Sequence, residues 1–130
     1  MKILVGYDGS NSAKDALALA KKHAGAFGAE VMVIASLTGG SVTHAVEVEH
    51  ATEDLEWAKT FFDDDNIPCT TKLLVRGMTP GEDLVDYAGE NGIDEIIIGI
   101  KRRSKVGKLL FGSNAQYVIL KAPCPVVTVK

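Results

Sequence analysis

Short apolar runs alternate with amphipathic stretches along the chain, and this alternation predicts five strands and four helices. The predicted strands are Lys2–Tyr7, Val31–Ala35, Cys69–Val75, Ile96–Ile98 and Val126–Lys130. The first, second and fourth are apolar runs too short for helices, which is typical of strands buried on both faces of a parallel sheet. The third alternates apolar and polar residues, which predicts partial exposure and a place at the edge of the sheet.

Helical spacing of apolar residues predicts a helix between each pair of strands. The four helices run over Ser12–Phe27, His44–Asp64, Pro80 to about Asn91, and Ser113–Lys121. Gly28 ends the first helix, and Pro80 suits the first turn of the third. Strands that alternate with helices form βαβ units. We therefore predict one α/β domain, residues 1–130, with a single parallel sheet and helices on both of its faces.

Length and composition support a single globular domain. The chain has 130 residues and a net charge of −3, and a domain of this size buries about two-thirds of its unfolded surface. The mildly acidic charge does not indicate nucleic-acid binding, and no apolar run approaches the ~20 residues that a membrane-spanning helix needs. The N-terminus lacks the pattern of a signal peptide, so we expect a cytoplasmic protein.

Residues that often bind metals do not form a recognisable site in this sequence. His44 and His50 are six residues apart, which does not place them on one helix face. The acidic run Asp63–Asp65 lacks the ligand spacing of a calcium loop. Cys69 and Cys124 are the only cysteines, and neither lies in a CxxC motif, so reduced thiols are expected.

The stretch from Ile96 to Asn114 carries the main candidate chemistry. A buried strand ends at Gly99, a basic loop follows, and Gly112 and Ser113 begin the next helix. The loop contains five cationic side chains within eight residues: Lys101, Arg102, Arg103, Lys105 and Lys108. A helix N-terminus has unpaired N–H groups and partial positive charge, so it can bind a phosphate. We interpret the loop as a nucleotide phosphate site, in which Ser113 either caps the helix or turns its hydroxyl toward the ligand.

Two common phosphate-binding motifs do not fit. A P-loop needs GxxxxGK followed by Ser or Thr, but Arg102 stands at the first glycine of the candidate ending in Gly107–Lys108, and Leu109 follows the lysine. The Rossmann fingerprint GxGxxG is also absent, since Gly6 and Gly9 are the only glycines around the end of the first strand. The nucleotide interpretation therefore depends on the loop from Gly99 to Ser113.

This loop resembles that of nucleotide-binding universal stress proteins, whose signature is glycine, two residues, glycine, nine residues, glycine, then serine or threonine. Gly99, Gly112 and Ser113 fit the first and last positions with the count intact, but Arg102 replaces the middle glycine. Either its guanidinium grips phosphate in place of backbone contacts, or it crowds the site and nucleotide binding is lost. We favour the grip, because the rest of the loop is basic and the spacing is kept.

The start of the chain carries a second point of resemblance, the pattern V-x-x-D-G-S from Val5 to Ser10. Asp8 follows the first strand, and ligands of open parallel sheets bind at the carboxyl ends of strands. The family has a matching aspartate near the nucleotide, so Asp8 could bind ribose hydroxyls or a phosphate-bound Mg²⁺. The alternative is that Asp8 only caps the first helix.

The resemblance implies an open sheet of order 3-2-1-4-5 that binds ATP, with Mg²⁺, at the carboxyl ends of strands 1 and 4. Ser36 would lie near the adenine base, and Cys69 and Cys124 would lie near opposite sheet edges, too far apart for a disulfide. The residues implied in nucleotide contact are Gly6, Tyr7, Asp8, Ser36, Gly99, Ile100, Lys101, Arg102, Arg103, Gly112, Ser113 and Asn114.

The last strand is apolar, so we do not expect it to be exposed to solvent. At a sheet edge its unpaired N–H and C=O groups would invite a second chain, and a symmetric antiparallel pairing would close as a dimer. In universal stress proteins this strand often serves that purpose. We therefore expect a homodimer through Val126–Val129, with a further protein partner that the sequence does not identify.

Three functions fit these features. The favoured one is a regulatory module that binds Mg-ATP and acts as a dimer. An ATP-cleaving enzyme is less favoured, because no nucleophile and base are arranged recognisably and Asp8 is the one general-base candidate, so only slow hydrolysis is expected. The third is a protein-interaction member of the family that has lost nucleotide binding. RNA contact by the basic loop ranks last, because the chain is acidic and lacks interleaved aromatic residues.

Overall fold

The computed structural model describes residues 1–39, 45–100 and 112–130. Its strands are β1 Lys2–Gly6, β2 Glu30–Leu37, β3 Cys69–Val75, β4 Glu95–Gly99 and β5 Val126–Val129. Its helices are α1 Asn11–Phe27, α2 Ala45–Asp63, α3 Pro80–Glu90 and α4 Ser113–Lys121. The predicted element order is confirmed, and the predicted boundaries shift by at most two residues.

The five strands form one parallel sheet in the order β3-β2-β1-β4-β5. Central β1 pairs with β2 and β4, so that Val5 lies opposite both Val33 and Ile97. The chain leaves β1 toward β2 on one side and reaches β4 on the other. This reversal opens a crevice at the carboxyl ends of β1 and β4, where ligands of open α/β sheets bind.

Side chains of β1 point alternately into two cores, one on each face of the sheet. Ile3 and Val5 pack with α1 and α2, whereas Leu4 packs with α3 and α4. One core covers each face of the sheet, so side chains on both faces of a central strand are buried. This explains why the central strands have continuous apolar runs. The predicted α/β architecture, with helices on both faces, is confirmed.

The edge position of β3 is confirmed, with Thr70 and Lys72 exposed and Cys69 buried. Cys69 and Cys124 are both free thiols, one on β3 and the other just before β5, at opposite edges of the sheet. Burial raises the pKa of Cys69 to about 11 and also raises the pKa of Cys124. The expectation that the two cysteines lie near opposite edges of the sheet is therefore confirmed.

The helix ends follow local chemistry. The Ser10 hydroxyl caps α1 by accepting the Ala13 N–H, and Gly28 ends this helix in the left-handed region with φ 65°. Thr79 and Glu82 form a capping box at the start of α3, next to Pro80. Across residues 1–39, 45–100 and 112–130, none of the helices has the length and apolar character to cross a membrane.

The end of β4 packs directly against the first turn of α1 because residue 99 is glycine. A Cβ atom at Gly99 would lie 2.4 Å from the carbonyl carbon and oxygen of Ser12 and 2.7 Å from the Ala13 nitrogen. These are backbone atoms of a helix and cannot rotate away. Any side chain at position 99 would therefore force β4 and α1 apart.

Replacing Gly99 with alanine should lower the free energy of unfolding by about 1–3 kcal/mol, because the added methyl overpacks a backbone contact. The control is Gly25→Ala within α1, where a Cβ meets no atom of the described residues within 4 Å. This change should raise stability by roughly 0.5–1 kcal/mol through better helix propensity. Urea denaturation measures both effects. Equal stability of Gly99→Ala and the parent protein would contradict the packing role.

Candidate functional site

A cavity of about 250 Å³ opens at the carboxyl ends of β1, β2 and β4. It brings together predicted site residues from four separate parts of the chain: Gly6, Tyr7, Asp8, Ser36, Gly99, Ile100, Gly112 and Asn114. The glycines that open and close the loop motif therefore face the same space, as the phosphate interpretation requires.

The other four predicted site residues, Lys101, Arg102, Arg103 and Ser113, are not among the described residues that line the cavity. Lys101, Arg102 and Arg103 lie outside the described residues. Ser113 is not among the residues that line the cavity, although both of its neighbours are.

The cavity also contains residues that were not predicted. They are Ser10, Ser12, Ala13, Ile34, Pro80, Leu84, Ile98, Ala115 and Val118. Ser10 and Ser12 follow Asp8 directly, so the start of α1 was a signal available in the sequence. The contribution of Pro80 and Leu84 depends on how α3 packs over the sheet, which local patterns do not indicate.

Asp8 shapes the turn before α1 but does not cap this helix. Its Oδ1 accepts the Ser10 N–H at 2.9 Å, while Ser10 Oγ accepts the Ala13 N–H at 3.2 Å. Between them Gly9 has a φ of 79°, in the left-handed region that favours glycine. The alternative that Asp8 caps the first helix is therefore wrong, because Ser10 occupies the cap.

The N-cap of α4 is Gly112, and Ser113 is the first helical residue. The capping role considered for Ser113 is therefore wrong. A Cβ at Gly112 would meet no atom of residues 1–39, 45–100 or 112–130 within 4 Å, so none of the described residues covers the backbone at this helix start. This openness is what an anion needs to reach the N–H groups of a helix N-terminus.

Asn114 holds the starts of α3 and α4 side by side. Its Oδ1 accepts the Gly81 N–H at 3.0 Å, and a Cβ at Gly81 would lie only 2.9 Å from the Asn114 carbonyl oxygen. Because this side-chain oxygen is used as an acceptor, the polar group that Asn114 can offer to an anion is its NH₂.

Two predicted contact residues use their backbone N–H groups within the sheet. The Tyr7 N–H donates to Ile34 at 2.9 Å, and the Ile100 N–H donates to Val129 at 2.7 Å. These residues can therefore contact a ligand through carbonyl or side-chain atoms only.

Tyr7 is a buried phenol. Its ring stacks on that of Trp57 with the centroids 6.2 Å apart. Burial, followed by the negative charges of Asp54 and Asp8, raises the pKa of Tyr7 to about 12. Tyr7 therefore keeps its proton at neutral pH and adds no charge to the cavity.

A buried polar network adjoins the cavity and was missed by sequence reasoning. Asp83 of α3 is 0% exposed, and its Oδ1 accepts from Arg76 Nε at 2.8 Å. The Ser36 hydroxyl donates to the other oxygen, Oδ2. The hydrogen bond to Asp83 is also the main cause that raises the pKa of Arg76. Asp83 lies in the first turn of α3, where acidic residues are common, so its position in the sequence gives no sign of this network.

In residues 1–39, 45–100 and 112–130, no group of three or more His, Cys, Asp or Glu residues could hold a metal ion.

The chain is similar over its whole length to known proteins. The sequence model of the universal stress protein family matches residues 1–130. A Thermus aquaticus protein, described as a universal stress protein in the QAH/OAS sulfhydrylase 3′ region, is 33% identical over 98% of this chain and 97% of its own. An Archaeoglobus fulgidus universal stress protein structure is 41% identical, with a TM-score of 0.92, and covers 100% of this chain and 98% of that one. A second structure from that organism, in complex with dAMP, is 37% identical with a TM-score of 0.87 and the same coverage.

Removing the charge partner of Asp83 should destabilise the protein strongly. Arg76→Met leaves a buried carboxylate without its cation, which should cost about 3 kcal/mol of unfolding free energy. The control is Glu90→Gln, since Glu90 contacts Arg76 at 3.4 Å but is 61% exposed; a change within about 0.5 kcal/mol is expected there. Chemical denaturation at pH 7 compares the two. Similar small losses in both variants would show that Asp83 does not depend on Arg76.

Proposed function

The chain belongs to the universal stress protein family, and from this premise we propose that it is a small cytoplasmic regulatory protein that binds ATP at the carboxyl ends of β1 and β4. One observation carries the proposal: the first loop, the end of β2, the end of β4 and the start of α4 converge on one cavity of about 250 Å³. The 37% identical A. fulgidus protein, solved in complex with dAMP, supports an adenine nucleotide as the ligand.

The charge distribution supports one orientation of the nucleotide. The first turns of α1 and α4 contain no acidic residue, so the positive ends of these helices are available to an anion. The first turn of α3 instead contains Glu82 and Asp83, which offset its own positive end. We place the phosphates beside α1 and α4, and the base beside α3 and β2.

The residues at each end of the cavity suit the part of the nucleotide that we place there. Gly112 offers an open helix start, and Asn114 offers an NH₂ group to phosphate oxygens. Near the end of β2, Ile34 and Leu84 supply apolar walls for a base, and Ser36 supplies a hydroxyl. Mostly apolar walls with a few polar groups are typical of sites for small organic ligands.

The basic residues that follow β4 complete the proposed phosphate site. Lys101, Arg102 and Arg103 come directly after Ile100, which lines the cavity. We assign Arg102 a bidentate contact with phosphate, in place of the backbone approach that a glycine would allow. Asp8 supplies a single carboxylate, which suits ribose hydroxyls or a Mg²⁺ ion held mainly by the phosphates themselves.

We propose binding, and not efficient catalysis, as the role of the cavity. Two of its hydroxyls already have structural tasks, since Ser10 caps α1 and Ser36 donates to Asp83. Within the described residues, the side-chain hydrogen-bond partners of Ser10 include no base, and the Asp83 carboxylate that accepts from Ser36 is already paired with Arg76, so neither hydroxyl has a free base there to activate it as a nucleophile. Slow hydrolysis of bound ATP is compatible with this role.

We also propose that the protein acts as a homodimer through β5. This strand lies at the edge of the sheet, and the adjoining α4 exposes Leu120 by 77%. The carbonyls of Pro125 and Val129 accept hydrogen bonds from Ile96 and Ile100 of the β4 side, at 3.0 and 2.7 Å. In a parallel strand the alternate residues face the other way, so Thr128 presents its N–H and C=O to the open edge.

Purified protein should bind ATP, ADP and AMP in isothermal titration, with Mg²⁺ strengthening the binding of ATP. Gly112→Val should weaken binding at least about tenfold, because a branched side chain covers the open start of α4, while circular dichroism stays unchanged. Absence of binding by the parent protein to all three nucleotides would leave the interaction-only role that the sequence also allowed.

The same titration tests the role of Arg102. Arg102→Ala should weaken ATP binding by roughly ten- to a hundredfold, the loss of a charge-assisted hydrogen bond. Lys22→Ala, on an exposed position in the C-terminal half of α1, also removes one positive charge; it serves as the control and should bind as the parent does. Tighter binding by Arg102→Ala would show that this side chain obstructs the site.

Thr128→Pro should convert the dimer to a monomer. Proline removes the N–H that faces the open edge of β5 but leaves the hydrogen bonds to β4 intact. Thr128→Ala keeps that N–H and should remain a dimer. Light scattering gives the mass of each variant. A dimeric mass for Thr128→Pro would place the subunit contact elsewhere.

A further inference from the structure

The hydrogen of the Ser36 hydroxyl is already committed to a hydrogen bond within the protein. Ser36 lines the cavity near the end of β2, and its hydroxyl donates to Asp83 Oδ2. A serine hydroxyl has one hydrogen to donate and two lone pairs that accept. Toward the cavity, therefore, Ser36 can act only as an acceptor.

Asp83 enforces this direction because it is held as an ionised carboxylate. It is fully buried, and a buried carboxylate stays charged only when it is paired and hydrogen-bonded. Arg76, which is always protonated, donates its Nε–H to Asp83 Oδ1 at 2.8 Å and an Nη2–H to the Asp83 carbonyl at 3.4 Å. An ionised carboxylate has no hydrogen to give, so the Ser36 hydroxyl must be the donor in their contact.

We propose that Ser36, oriented by Asp83 and Arg76, makes the cavity selective for a base that presents an amino group, as adenine does at C6, over a base that presents an oxo group there. The inference rests on the proposed function, which places a purine at this end of the cavity. An amino group donates to Ser36. An oxo group meets a second acceptor, and both groups lose their hydrogen bonds to water without replacement.

The surroundings strengthen this selectivity. Ile34 and Leu84 line the same part of the cavity, and both are buried. Among apolar neighbours a mismatched pair of acceptors costs more than in water, because little solvent is present to satisfy either group. Asp83 and Arg76 act here as positioning residues, since they reach the ligand only through Ser36.

Three nucleotides that differ at C6 of the purine distinguish the hydrogen bond to Ser36 from the other contacts of the base. They are AMP, inosine 5′-monophosphate, and purine riboside 5′-monophosphate, which carries only hydrogen at C6. The parent protein should bind AMP about tenfold more tightly than purine riboside monophosphate and bind inosine monophosphate most weakly. Ser36→Ala should weaken the binding of AMP about tenfold and leave the affinity for purine riboside monophosphate unchanged. Equal weakening of both, or no change for AMP, would overturn the inference.

Asp83→Asn tests the positioning role. The amide can still accept from Arg76 through its oxygen, but its NH₂ donates to Ser36, which frees the serine hydrogen to face the ligand. The ratio of AMP to inosine monophosphate affinity should fall at least about tenfold, a change that a purely structural role would not produce. An unchanged ratio in folded protein would remove Asp83 from the selection.

The outcomes also distinguish this inference from the proposed function. If the parent protein binds all three nucleotides with equal affinity, the proposed selectivity is overturned but the proposed nucleotide site is not. Failure to bind any of them would reject the nucleotide site together with the selectivity built on it.

Discussion

Backbone contact between β4 and α1 sets the geometry at the carboxyl edge of the sheet. Gly99 has no Cβ, so the strand ends against the first turn of the helix, where a methyl group would lie 2.4 Å from Ser12. This approach fixes the start of α1 beside the end of β4, although these elements come from the two different halves of the fold. The cavity lies at this junction, because strand order reverses between β1 and β4.

Charge at the cavity is divided between its two sides. The starts of α1 and α4 lack acidic residues and keep their positive ends, whereas α3 neutralises its own with Glu82 and Asp83. Asp83 is also paired with Arg76, at 2.8 Å. One carboxylate in the first turn of α3 thus accepts from both Arg76 and Ser36.

Local patterns predicted the fold closely and the site in part. Gly28 ended α1, and the alternating β3 was placed at an edge, because backbone conformation and exposure are each encoded within a few residues. The alternative that Asp8 caps α1 was wrong, since both Asp8 and Ser10 are good cap residues and only the path of the turn through Gly9 selects Ser10. Sequence patterns predict a feature less well when it depends on contacts between residues that are far apart in the chain.

The sequence by itself determined the order of strands and helices, the family-type spacing from Gly99 to Ser113, and the central place of Asp8 after β1, because periodicity and turn residues act over short distances along the chain. Only the tertiary structure decided that Ser36 meets Asp83, 47 residues away, and that Asn114 meets Gly81, 33 residues away. Such pairs form when α3 and α4 pack on the same face of the sheet. Packing depends on shape and distance across the whole domain, and no stretch of sequence carries that information alone.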